Sequence, residues 1–360
     1  MSHRWTRCSI KELYLSDLPG SICRFISVTG ATQVMIVTDE TTHEVCLKRV
    51  GELPESLSIR HFVAPRGEKC KTLEVAMALW GALMEYNFSR NDLLICIGGG
   101  ALSDLSAWCA ATFKRGMRLI LLPTTLLSAV DASYGGKCGV DFGQVKNSIG
   151  TFYPADEIWL VSEMWDTLST QELLSGYGEL LKHAVLSGKE GLLDFISKPL
   201  VRPGVSHLSS LVRKSLDFKR SIVLQDPYDL QGLRTQLNLG HTFGHAFESL
   251  YFTQGNVLPH GIGVVAGMVC ELYLSHQLTA YPKDLLTSLT YYTKEEFPPV
   301  VFDCNDYALL YDFARQDKKN IGEGIHISGL DSNSLPTPIT LHSPELMNQA
   351  LDFYRSFMGI

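Results

Sequence analysis

Two histidines, His241 and His245, stand four positions apart in LNLGHTFGH (237–245), and a third, His260, follows in LPHGIGVVAGM (258–268). A spacing of four puts the first pair on one helix face, and neutral imidazole is a common zinc ligand. Thr242 stands where H-E-x-x-H needs its glutamate base, which excludes that metalloprotease chemistry. Catalytic zinc takes three protein ligands and keeps a fourth position open. SGYGELLKHAVL (175–186) adds Glu179, one turn from Lys182 among Leu180, Leu181, Ala184 and Val185. A carboxylate buried there needs a cation, and a metal would serve. Glu179, His241, His245 and His260 are thus four candidates for three places, and spacing does not choose among them.

The first half carries a different chemistry. IGGGALSD (97–104) lies where a strand meets a helix, the place at which backbone amides and a helix N-terminus bind a diphosphate, although it departs from G-x-G-x-x-G. Asp39 closes TQVMIVTD (32–39), where an acid can take the ribose hydroxyls of NAD and repel the 2'-phosphate of NADP. LPTTLLSAVDASYGGKCGVDFGQVKNSIGTFY (122–153) sets Thr124, Thr125, Asp131, Lys137, Lys146 and Asn147 among glycines, and reads as an irregular anion-binding loop.

These residues need a frame to hold them. TQVMIVTD, DLLICIGGG (92–100) and MRLILLPTT (117–125) are short apolar strands, and KTLEVAMALWGALMEYN (71–87) and SDLSAWCAATFKRG (103–116) have helical spacing. That alternation predicts a parallel sheet flanked by helices. After about residue 155 amphipathic helices dominate, as in TQELLSGYGELLKHAVLS (170–187) and HLSSLVRKSLDFKRSIVL (207–224). The predicted organisation is an α/β Rossmann-like domain over 1–155 followed by an all-α metal-binding domain over 156–360.

Composition narrows the partners. A formal charge of -7 argues against nucleic acid or an anionic membrane, so an anionic ligand must be met by locally gathered cations. The nine cysteines are scattered without a C-x-x-C pair and read as free thiols of a cytoplasmic protein. No apolar run is long enough to span a membrane.

GGGALSDLSAWCAATFKRG, LPTTLLSAVDASYGGKCGV, VKNSIGTFY, SGYGELLKHAVL, GLRTQLNLGHTFGHAFE, PHGIGVVAGM and DKKN (317–320) together resemble the 3-dehydroquinate synthase family, over about residues 31–325. The resemblance implies a homodimer with an NAD domain, a helical zinc domain and an active site between them. It implies that 3-deoxy-D-arabino-heptulosonate 7-phosphate loses phosphate and closes to 3-dehydroquinate, the second step of the shikimate pathway, with zinc or cobalt as metal. Carried over by position, the metal ligands are Glu179, His241 and His260. Phosphate contacts are Lys137, Asn147, His245, Lys318 and Lys319, with Arg115 supplied by the partner subunit. Contacts to the carboxylate and hydroxyls are Lys146, Lys182, Lys219, Arg234, Asn238 and Asp131. The NAD set is Asp39, Glu68, Lys69, Gly99, Gly100, Asp104, Thr124, Thr125 and Thr167, joined by Lys137 and Lys146.

Two positions depart from the family pattern. Ile262 replaces the glutamate of H-G-E, and Leu230, beside Asp229, stands where a glutamate precedes the arginine of GLR. The rival functions are a cyclase acting on sedoheptulose 7-phosphate and a metal-dependent polyol dehydrogenase. Lys219, Arg234 and Asn238, which read a carboxylate, favour dehydroquinate, and a dehydrogenase would release NADH.

Overall fold

The computed structural model describes residues 2–55, 57–143, 145–200, 208–316 and 324–360. The strands are β1 (Ser9–Glu12), β2 (Gln33–Asp39), β3 (Ser58–Ala64), β4 (Leu93–Gly98), β5 (Arg118–Pro123), β6 (Lys137–Phe142), β7 (Val145–Phe152), β8 (Glu157–Leu160), β9 (Ile325–Leu330) and β10 (Pro336–Leu341). The chain divides into two compact units, Met1–Ser169 with Pro203–Tyr228, and Thr170–Arg202 with Asp229–Ile360.

The first unit is built on a six-stranded parallel sheet of order β1-β8-β5-β4-β2-β3. β4 is buried throughout and β2 and β5 nearly so, as unbroken apolar strands covered on both faces must be. From β2 the chain pairs β3 on one side and β4 on the other, a reversal of direction that opens a crevice at the carboxyl ends of β2 and β4. The glycine-rich block expected to be irregular is largely an antiparallel hairpin, β6 with β7. Gly139 faces Gly150, and a Cβ on either would lie 2.6 Å from the opposite backbone carbonyl. Glycine there allows close pairing as well as turns, which composition alone does not distinguish.

The predicted boundary at 155/156 differs from this division. β8 pairs with β5 and β1 and so belongs to the sheet. Helix Leu208–Gln225 also returns to the first unit, where it packs on the segment Ser128–Ala132.

The second unit is helical, as the sequence predicts, except for a two-stranded antiparallel ribbon, β9 with β10, that an all-α domain would not contain. Its central helix, His260–Thr279, is buried almost continuously from Gly261 to Leu272, fitting a sequence apolar on every side. Among the described residues no helix is long and apolar enough to cross a membrane.

Candidate active site

Three helices of the second unit bring the metal candidates together. Glu179 lies mid-helix in Thr170–Leu186, while His241 and His260 are the first residues of helices His241–Thr253 and His260–Thr279. The helices meet through glycine. A Cβ on Gly178 would lie 2.3 Å from the Gly261 carbonyl oxygen, and one on Gly267 would lie 2.0 Å from that of Gly240. Any side chain at these points would separate the backbones, and the three candidate ligands with them.

Ligand atoms of Glu179, His241 and His260 all fall within 4.8 Å of one another. Oε1 of Glu179 is 3.5 Å from Nε2 of His241 and 3.6 Å from Nε2 of His260, beyond hydrogen-bond length. Glu179 is fully buried, and neither of its oxygens has a hydrogen-bond partner, although the Lys182 ammonium lies against Oε2 as an ion pair. Each imidazole is held from behind: Nδ1 of His241 is 3.2 Å from the Leu239 carbonyl oxygen, and Nδ1 of His260 is 2.8 Å from Glu248 Oε1. Those acceptors place the proton on Nδ1 and leave Nε2 for a metal. A buried carboxylate that lacks hydrogen bonds and is faced by two such nitrogens fits a divalent cation.

The electrostatics agree. Burial opposes ionisation of Glu179, but the charge of Lys182 and the imidazoles of His260 and His241 outweigh it and hold the carboxyl well below its usual range. Burial likewise opposes protonation of His260, yet Glu179 and Glu248 push it up to about 10. Two carboxylates thus draw positive charge to this spot, and a metal ion would displace the extra proton.

His245 sits one turn beyond His241, its ring 5.5 Å from that of His241 and 6.2 Å from that of His260. It forms a second close grouping with Glu248 and His260. There the Glu248 oxygen already accepts from His260, so this grouping suits a metal less well. Arg234, which is buried, and Asn238 belong to the 3-10 segment Leu233–Asn238 leading into His241, and that segment packs on the Glu179 helix. Ile262 is buried, whereas Leu230 is exposed. Lys318 and Lys319 lie outside the described residues.

The first unit gathers its candidates along the carboxyl edge of the sheet. In register, Asp39 pairs with Ala64, Thr38 with Ile97, and Gly98 with Pro123. The edge therefore collects Asp39, the loop bearing Glu68, the Gly98–Gly100 turn, and Thr124 and Thr125. Gly99 caps helix Gly100–Thr112 without a side-chain bond, which leaves the first amides for an anion. Asp39 is more than a solvated turn acid, since its Oδ1 accepts from the Thr42 amide at 2.8 Å and caps the next helix.

Lys69 is exposed, and the buried lysine of GEKCK is Lys71, which the sequence reading missed. Its Nζ donates to Asp104 Oδ2 at 2.8 Å and to Asn147 Oδ1 at 2.5 Å, tying the glycine-turn helix to the hairpin. Burial pushes Asp104 up to about 6 against the pull of Lys71, so both are charged at neutral pH. No local signal in the sequence marks Lys71, which stands two residues from the exposed Lys69 and is set apart only by the partners the fold brings to it.

Lys219, also buried, donates to the Asp131 carbonyl at 2.6 Å and to its carboxylate at 2.5 Å. Lys137 and Lys146 lie on the hairpin strands. Arg115 is exposed, on a left-handed turn with φ 66°, and Thr167 is exposed beyond the end of β8.

The chain matches the 3-dehydroquinate synthase N-terminal family over residues 61–175 and its C-terminal family over 176–320. It is 38% identical to the 3-dehydroquinate synthase of Parabacteroides distasonis over 97% of this chain and 99% of that protein. Among solved structures it is similar to 2-epi-5-epi-valiolone synthase of Streptomyces hygroscopicus with NAD+ and Zn2+ bound, with TM-score 0.79, 18% identity and 97% of each chain covered. It is also similar to a 2-deoxy-scyllo-inosose synthase complexed with carbaglucose-6-phosphate, NAD+ and Co2+, with TM-score 0.76, 18% identity and 95% of each chain covered.

Proposed function

The chain belongs to the 3-dehydroquinate synthase family, and we propose from this that it converts 3-deoxy-D-arabino-heptulosonate 7-phosphate to 3-dehydroquinate and phosphate in aromatic amino acid biosynthesis. NAD and a divalent metal, zinc or cobalt, are its cofactors, a reading supported by the site chemistry and by the cofactors of the similar cyclases. The first unit binds NAD, and the second holds the metal through Glu179, His241 and His260.

Oxidation of the C5 alcohol to a ketone acidifies the C6 proton. Loss of that proton expels phosphate from C7, the ketone is reduced again, and the opened ring closes by an aldol step. Glu179, His241 and His260 would hold the metal, which would supply Lewis acidity to the hydroxyl being oxidised, and bound NAD would supply the hydride acceptor for that oxidation. Asp39, Glu68, Lys69, Gly99, Gly100, Asp104, Thr124, Thr125 and Thr167 are assigned to NAD, with Lys71 added from its bond to Asp104. His245, Lys137 and Asn147 hydrogen-bond the departing phosphate. Lys146, Lys182, Lys219, Arg234, Asn238 and Asp131 position the carboxylate and hydroxyls. We place the protein in the cytoplasm as a homodimer. Nine free cysteines, eight of them buried or half-buried, support the reducing compartment, and the exposed Arg115 supports donation to a partner's site.

The observation that carries the function is the match to a curated synthase along nearly the whole chain, joined to two imidazole Nε2 atoms that face the buried Glu179 carboxylate. The test is incubation with the heptulosonate phosphate, NAD and zinc, following phosphate release and, after a dehydratase is added, enone absorbance. Both signals are expected without accumulation of NADH. Silence from metal-loaded protein, or steady NADH release with a simple alcohol, would overturn the proposal.

A further inference from the structure

His241 and His260 share an unusual placement, since each is the first residue of its helix. A helix start is a poor place to fix a ligand unless its free amides are satisfied, because an uncapped first turn frays. The usual remedy is Ser, Thr, Asp or Asn at the cap. Here the cap of the His241 helix is Gly240, with φ +79°, and a Cβ there would lie 2.4 Å from the Val264 carbonyl oxygen. A local side-chain cap is sterically excluded, so the cap must come from elsewhere in the fold.

It comes from Glu271, fully buried on the His260 helix. Its Oε2 accepts from the Gly240 amide at 2.8 Å and its Oε1 from the Thr242 amide at 3.1 Å, on either side of His241. The hydroxyl of Thr242 in turn donates to the His326 carbonyl at 3.1 Å. The opposite bond mirrors this one: Glu248, on the His241 helix, holds Nδ1 of His260 at 2.8 Å.

We propose that Glu248 and Glu271 form a reciprocal brace, in which each ligand helix lends a carboxylate that fixes the first residue of the other, and that this brace sets the metal affinity of the site. Both are positioning residues, and the inference rests on the assignment of Glu179, His241 and His260 to the metal. Glu248 acts on the tautomer and ring angle of His260. Glu271 acts on the backbone that carries His241, and its charge suits the positive end of that helix.

The test measures zinc affinity of metal-stripped protein by competition with a chelator, beside the melting temperature of the same metal-free samples. Glu248→Ala is expected to weaken zinc about 10- to 100-fold, with most of it restored in Glu248→Gln, which keeps an acceptor for the Nδ1 proton. Glu271→Gln, which satisfies one of the two amides, is expected to weaken zinc about tenfold and to speed hydrogen exchange at Gly240 and Thr242. Glu271→Ala is expected to exceed it in both; should that variant not fold, the glutamine variant carries the test. His241→Ala serves as the control. If it loses zinc while the Glu248 and Glu271 variants bind zinc as the parent does, even with lower melting temperatures, the brace is refuted and the ligand set stands. If it keeps zinc, the ligand set itself is wrong.

Discussion

The sites proposed in the two units are built by opposite means. The first unit relies on the backbone: strand register aligns Asp39, Gly98 and Pro123 at one edge, and uncapped amides at Gly99 and beyond supply the donors. The second relies on side chains from three helices pressed together at glycines, with a fully buried carboxylate at the centre. A backbone site spreads its binding over many amides, so a single side chain such as Lys71 supports the site without deciding it. A buried ionic site concentrates it, so one side chain decides.

The largest effect expected from this contrast is at Glu179. Glu179→Ala removes the ligand and leaves Lys182 buried without its counter-charge, a change that costs on the order of 3–5 kcal/mol. Urea unfolding should show the loss and metal analysis an empty site, while NAD binding persists. A parallel fall in NAD affinity would break the separation of the two regions.

Gly261→Ala comes next. Its Cβ would lie 1.9 Å from the Ser175 carbonyl oxygen, so the His260 helix must shift, at about 1–3 kcal/mol. A lower melting temperature together with weaker zinc binding is expected. Unchanged zinc affinity would show that helix approach does not set the ligand geometry.

In the first unit, Lys71→Met is expected to weaken NAD by about 1.5–3 kcal/mol, read by titration, with zinc content unchanged. The smallest effect is at Asp39. Asp39→Ala removes a helix cap worth about 1 kcal/mol and should narrow the preference for NAD over NADP. Stability unchanged by this substitution would deny Asp39 its capping role.

Legibility in the sequence followed the same divide. Apolar strands and glycine turns announce a parallel sheet and its binding edge, because they depend on local periodicity. The metal candidates were legible too, in Glu179, His241, His245 and His260, whose side chains the fold brings close together, although spacing alone did not choose among them. What escaped were residues whose meaning is tertiary. Lys71 is unremarkable until Asp104 and Asn147 fold against it, and Glu271 is an acid in an apolar helix until Gly240 and Thr242 reach it. The β6–β7 hairpin escaped because glycine marks both irregular loops and close strand pairing, and β9 and β10 because they interrupt a helical texture.

Metal stoichiometry tests the proposed division of labour between His241 and His245 most directly. His241→Ala should purify without zinc, whereas His245→Ala should retain about one zinc per chain, with dehydroquinate formation lost. Zinc lost from the His245 variant, or kept by the His241 variant, would contradict the assignment.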